Sequence, residues 1–172
     1  LISALLFYYI FYTKVFSRIT NNSFYSLMYN LLNTNLTPLI ITSLTFGLLH
    51  IANPEIEKLG YILLVHYIGT GFFLGIITLM DEGLELALGF HAANNLFTAL
   101  LVTADWTAFQ THSILRDVSD PDISNFEVFA SVLIVYPILI FIFAKVYNWN
   151  NWKDKLAGSV TKDPVPTTSI AE

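Results

Sequence analysis

Two imidazoles and one amide stand where polar groups are costly. The run Phe46-Gly-Leu-Leu-His50 closes one apolar stretch, and His91-Ala-Ala-Asn-Asn95 lies inside another. On a helix, residues four apart lie on one face with Cβ atoms about 6 Å apart. Phe46 therefore shares a face with His50, and His91 with Asn95. Intramembrane polar side chains are functional-site hypotheses by default. An imidazole can take up or orient a proton at neutral pH. An imidazole N–H and an amide N–H can also stabilise a developing oxyanion, at a few kcal/mol per donor where water is scarce. Small residues beside them, Gly89, Ala92 and Ala93, allow a second helix to approach closely. Two helices can thus offer His50, His91 and Asn95 to one cavity, with Phe46 in support.

Each residue also has a plainer reading. His50 can simply donate to a facing carbonyl, and the His91/Asn95 pair can be polar glue between helices. His66, alone in its stretch, is expected to be structural. His112 falls in a polar loop and is expected to be solvated, and Asn94 faces away from Asn95. Glu55, Glu57, Asp81 and Glu82 read as loop charges. No HExxH pair occurs. Zinc would need His50, His91 and one oxygen ligand, so no cofactor is expected.

The elements that hold these residues follow from composition. Of 172 residues, 55% are hydrophobic and 12% charged, against about 25% charged in a soluble domain. The mean hydropathy is +0.60. A net charge of −5 without a basic stripe excludes nucleic acid as a partner. The absence of cysteine excludes a disulfide framework and a thiolate nucleophile. No charge occurs in 19–54, 59–80, 86–104 or 128–144. A bilayer takes about 20 apolar residues of helix per crossing, with every backbone polar group bonded internally.

The fold class expected is all-α, a multi-pass transmembrane bundle. Its five spans are Leu1–Phe16, Leu36–Ala52, Leu59–Met80, Leu84–Thr103 and Val128–Tyr147. Pro137 should kink the last. Thr20-Asn-Asn-Ser23 opens a short amphipathic helix with its stripe at Phe24, Leu27, Met28, Leu31 and Leu32. Asp81-Glu-Gly83 is a turn, and 105–127 a polar loop. Residues 1–147 form the membrane domain, and 148–172 a polar cytoplasmic tail expected to be disordered. Lys14, Arg18, Lys145, Lys153 and Lys155 fall on one side, which the positive-inside rule makes cytoplasmic. The lipid bilayer is one expected partner. The chain begins at Leu1, without a basic n-region, so a signal peptide is not expected.

The two histidine motifs, in this order on successive histidine-bearing helices, resemble FxxxH and HxxxN of the CPBP intramembrane endopeptidases, the Abi or CAAX-protease-like group. The resemblance covers 38–102 and includes a glycine-bearing helix between the motifs, with Gly69, Gly71 and Gly75. It implies a multi-pass membrane peptidase of the cell membrane, acting on a peptide or protein. Some members remove the last three residues of prenylated proteins, and bacterial members are linked to bacteriocin processing or self-immunity. Carried onto this chain, His50 would position water or substrate, and His91 and Asn95 would bind the oxyanion.

The family's first motif, EExxxR, supplies a glutamate that activates water. Here the corresponding stretch reads Phe16-Ser-Arg-Ile-Thr-Asn-Asn22-Ser-Phe-Tyr-Ser26, with no paired glutamates. Amides do not replace a carboxylate base. The chain is therefore expected to be a poor peptidase, either a degenerate member or a fragment lacking its upstream part. Two other classes compete: a non-catalytic scaffold or immunity-type protein that binds a peptide, and a small transporter with a proton-linked histidine pair. All three need the histidines at one site. Counting along the spans places His50 late in one and His91 early in another, which weighs against a shared site.

Overall fold

A computed structural model describes residues 33–108 and 110–159. The expected span at 1–16, the amphipathic helix after Ser23 and the segment aligned with EExxxR lie outside these residues.

The described chain is mostly helical. Helix α1 (Leu36–Leu48) leads through a turn to the short α2 (Pro54–Leu59), then to α3 (Leu63–Asp81) and α4 (Glu85–Leu101). Two short strands follow, β1 (Val102–Ala104) and β2 (Leu115–Asp117). Next come α5 (Asn125–Val146) and α6 (Trp152–Ala157). Helices α3 and α5 are long and apolar enough to cross a membrane, by length and composition. The apolar α1 is shorter. Five spans are thus not what the described residues display.

The differences from the expected spans have local causes. The helix of the span expected at Leu36–Ala52 stops at Leu48. There the backbone tightens, His50 N donating to Gly47 O at 3.0 Å and Ile51 N to Leu48 O at 3.1 Å. Pro54 also holds Asn53 extended, with ψ 142°. The next helix begins at Leu63 because Gly60 takes φ +87°, a left-handed conformation that glycine reaches without strain. At the turn after α3, Glu82 ends the helix with φ 57°.

Helix α3 is the hub. Ile77 is fully buried, and Phe73, Phe46, Leu74 and Ala87 pack with it. Phe73 stacks on Tyr136 of α5, ring centroids 4.7 Å apart. The α1–α3 contact is close because it is lined with small residues. A Cβ on Gly71 would lie 2.8 Å from Ser43 Cα and from its carbonyl oxygen, and one on Gly47 would collide with Ile68. Ser43 is buried and satisfies its hydroxyl on Leu39 O at 2.6 Å. Small-residue seams of this kind let helices pack where lipid removes the usual hydrophobic drive.

Helix α5 begins three residues before the expected Val128. Ser124 and Glu127 form a reciprocal capping box: Glu127 N donates to Ser124 Oγ at 3.2 Å, and Ser124 N to Glu127 Oε2 at 2.7 Å. Pro137 is accommodated by a π turn at Ser131–Val135 just before it. A wider turn leaves room for the proline ring against the preceding carbonyl.

Loop 105–127 is not wholly irregular, because β1 and β2 pair in parallel, Val102 opposite Leu115 and Ala104 opposite Asp117. The exposed ion pair of Arg116 with Asp105 adds to this link. Nor is the expected tail structureless at its start. Lys155 Nζ donates to Met80 O at 2.9 Å and pairs with Glu82 at 2.9 Å, while Asn35 Nδ2 donates to Lys155 O at 2.9 Å. These bonds dock α6 on the end of α3 and the start of α1.

Candidate functional site

Phe46 brings the two histidines together. Its buried ring lies 4.6 Å from His50 and 5.7 Å from His91, edge-on to the latter. Helices α1 and α4 both run antiparallel to α3, as the pairings of Ile68 with Gly47 and Gly75 with Leu39, and of Phe73 with Phe90, show, and the Phe46 ring meets that of His91. His50 follows one turn later. Counting along isolated spans places them further apart, because it ignores how α1 and α4 slide along α3.

Hydrogen bonds decide which nitrogen of each ring is available. His50 Nδ1 lies 2.6 Å from Phe46 O. A carbonyl only accepts, so Nδ1 carries the proton and the neutral ring keeps its lone pair on Nε2. On α4, Asn95 Nδ2 lies 3.0 Å from His91 Nε2. An amide nitrogen only donates, so Nε2 accepts and the proton of the neutral ring sits on Nδ1. One ring thus offers an acceptor and the other a donor. Such a pair can orient a water by its proton and meet an oxyanion with an N–H.

His50 is backed by Tyr67 of α3, stacked at 4.4 Å with an interplanar angle of 21°. The Tyr67 hydroxyl accepts from Asn53 Nδ2 at 3.4 Å. His66 is tied elsewhere. Ser131 Oγ donates to Val128 O at 2.7 Å, so it accepts from His66 Nδ1 at 2.9 Å. This bond links α3 to the π turn of α5, in keeping with a structural histidine. His112 and Asn94 are exposed.

Among the described residues no carboxylate hydrogen-bonds to His50, His91 or Asn95, and no group of three His, Asp or Glu is placed to hold a metal ion. A cleft at the α6 end is lined by Asn35, Glu82, Asp154 and Lys155, among others, and by none of these site residues.

Sequence reasoning missed Tyr67 and Glu55. Tyr67 follows His66 in an apolar run and carries no motif. Glu55 accepts from Ala108 N at 3.0 Å through Oε1, whereas Oε2 is buried without a hydrogen-bond partner among the described residues. The indole Nε1 of Trp106 is likewise buried without a partner among the described residues.

Imidazoles and an amide gathered among helices apolar enough for lipid place the molecule with membrane-embedded proteins that carry a polar site. Residues 4–97 match the family described as type II CAAX prenyl endopeptidase Rce1-like, and the chain belongs to that family, which is membrane-embedded. Phe46, His50, His91 and Asn95 all fall within the match. The chain is also 36% identical over 69 residues to the uncharacterized protein YyaK of Bacillus subtilis (strain 168). That alignment covers 38% of this chain and 23% of the relative, so the chain matches less than a quarter of that protein's length. No solved structure matches.

Proposed function

We propose that the chain is a multi-pass, CPBP-like intramembrane protein of the cell membrane whose histidine site engages a peptide in the manner of a CAAX-type endopeptidase. In this reading, His50 Nε2 orients the water or substrate. His91 Nδ1–H and the remaining Asn95 amide N–H bind the carbonyl oxygen as it gains charge, and Phe46 sets the spacing of the rings. The observation that carries it is the Phe46 ring in contact with both imidazoles, with Asn95 fixed on the second. Hydrolysis also needs a base for water. The paired glutamates of EExxxR are missing from the sequence, so this chain binds substrate and turns it over slowly.

The test is a reconstituted chain in lipid nanodiscs with a fluorescent prenylated peptide ending in cysteine, two aliphatic residues and a final residue. Binding is expected to weaken about tenfold or more in His91→Ala, with little cleavage by the unaltered chain. Robust cleavage abolished by His91→Ala would overturn the low-activity part alone. Binding unchanged in the His50→Ala/His91→Ala double variant would overturn the site.

The missing glutamates also favour a second reading, a non-catalytic scaffold or immunity-type protein with the same fold. It predicts tight peptide binding and no cleavage under any condition.

A further inference from the structure

The two helices long enough to cross a bilayer, α3 and α5, both end beside α6, away from the end of α3 where Tyr67 stacks on His50. Trp149, just after α5, donates from Nε1 to Asp81 Oδ1 at 3.2 Å and ties the two helix ends together. Its ring packs against those of Tyr147 and Trp152, with centroids 6.3 and 6.1 Å away. Tyrosine and tryptophan gather at the level of lipid headgroups, where one part of the side chain is in apolar surroundings and the other is wet. This end of the bundle therefore lies at headgroup depth.

At that level α6 and the turn after α3 line an open cleft of about 570 Å³, within the size range of small-molecule sites. Its walls carry both signs of charge. Lys155 Nζ donates to Met80 O and to Glu82 Oε1, each at 2.9 Å, and its side chain is still 21% exposed. An ammonium has three N–H groups, so one remains for a ligand. Asn151 adds an amide, and Asp154 a carboxylate, neither of which makes a side-chain hydrogen bond among the described residues. Leu79 and Leu84 supply apolar lining. Asn35 lines the cleft as well, and the exposed Leu36 and Ile40 follow it along α1.

These groups sort the headgroups that a bilayer offers. A purely anionic headgroup meets Asp154 unopposed, because Lys155 is already paired with Glu82. A headgroup with a phosphate and a free ammonium satisfies the donors and the acceptors together. Choline carries the same charges but has no N–H to give to a carboxylate.

We propose that this cleft binds the headgroup of a phosphatidylethanolamine-type lipid, with the ammonium on Asp154 and Glu82 Oε2, the phosphate on Lys155 and Asn151, and an acyl chain along Leu36 and Ile40. The site is independent of the histidines, since none of the histidine-site residues lines the cleft.

The experiment titrates the full chain in detergent with dioleoyl phosphatidylethanolamine, phosphatidylcholine or phosphatidylglycerol and reads occupancy by native mass spectrometry. Phosphatidylethanolamine is expected to bind about tenfold more tightly than either of the others, the gain from hydrogen bonds between charged groups. Glu82→Gln combined with Asp154→Asn should bring it to within about twofold of phosphatidylcholine, since amides accept an ammonium more weakly than carboxylates do. Asn151→Gly keeps a backbone at φ 54° free of strain. It should weaken all three lipids severalfold and preserve their order. If the double variant loses its thermal transition, Asp154→Asn alone serves, because that carboxylate makes no bond within the described fold, and it should narrow the preference. Equal affinity for the three lipids, or an undiminished ethanolamine preference in a folded carboxylate variant, would overturn the site.

Discussion

Helices α3 and α5 both meet the length and hydropathy needed to cross a bilayer, yet they are built for different surroundings. Helix α3 has the lower mean hydropathy, 1.8 against 2.4, and the larger buried share. It carries Gly69, Gly71, Gly75, His66 and Thr70, because its neighbours supply close contacts and hydrogen-bond partners. Gly71 receives the α1 backbone, and Thr70 Oγ1 meets Tyr136 Oη at 2.6 Å. Helix α5 turns Leu133, Ile134, Ile138, Phe141 and Ile142 outward. An outward face that lies in lipid must be apolar, whereas a packed helix can afford polar atoms. The more hydrophobic of the two is the one that carries none of the candidate site residues, Tyr67 being on α3.

That contrast breaks most sharply at Gly71. Gly71→Leu should drive α1 off α3, costing at least about 3 kcal/mol and separating His50 from His91. Loss of a cooperative thermal transition in detergent would register it. A transition within 2 °C of the parent would mean that the α1–α3 seam is loose.

A smaller effect is expected at Ser131, where α3 and α5 communicate. Ser131→Ala removes the acceptor of His66 Nδ1, leaving a half-buried donor unpaired at a cost of about 1–3 kcal/mol. Its checks are the unfolding midpoint and the His66 ring nitrogen shifts by NMR.

Ser124→Ala, at the start of α5, removes the capping box for about 1 kcal/mol. Faster amide exchange confined to 125–128 is the expected signature. The smallest change should come from Ile138→Leu on the outward face, within about 0.5 kcal/mol of the parent. A larger loss there would show that another helix covers α5.

The sequence makes the chemistry more legible than the chain's ends and crossings. Phe46 with His50, and His91 with Asn95, are readable because helical spacing alone puts each pair on one face, and both pairs are in contact. That the pairs meet each other is not readable, since the position of α1 along α3 is set by Ser43, Gly47 and Gly71 together. The Ser124-x-x-Glu127 pattern marks the start of α5 in the sequence, whereas the first charge-free residue, Val128, lies one turn inside the helix. Glu55 with Ala108, 53 residues apart, and β1 with β2 are contacts between loops, which have no periodicity to betray them. Loop charges look alike on paper, and burial distinguishes one oxygen of Glu55.

The π turn at Ser131–Val135 has a consequence for anyone drawing α5 as a wheel. One wide turn inserts a phase slip, so a single wheel cannot describe both halves of the helix. Residues after 135 are rotated by roughly one position relative to a uniform 3.6-residue winding. Tyr136 reaches Phe73 and Thr70 on the far side of that slip, while Ser131 meets His66 on the near side. Two polar side chains five residues apart thereby address the same neighbour, which a uniform helix would turn by about 140°.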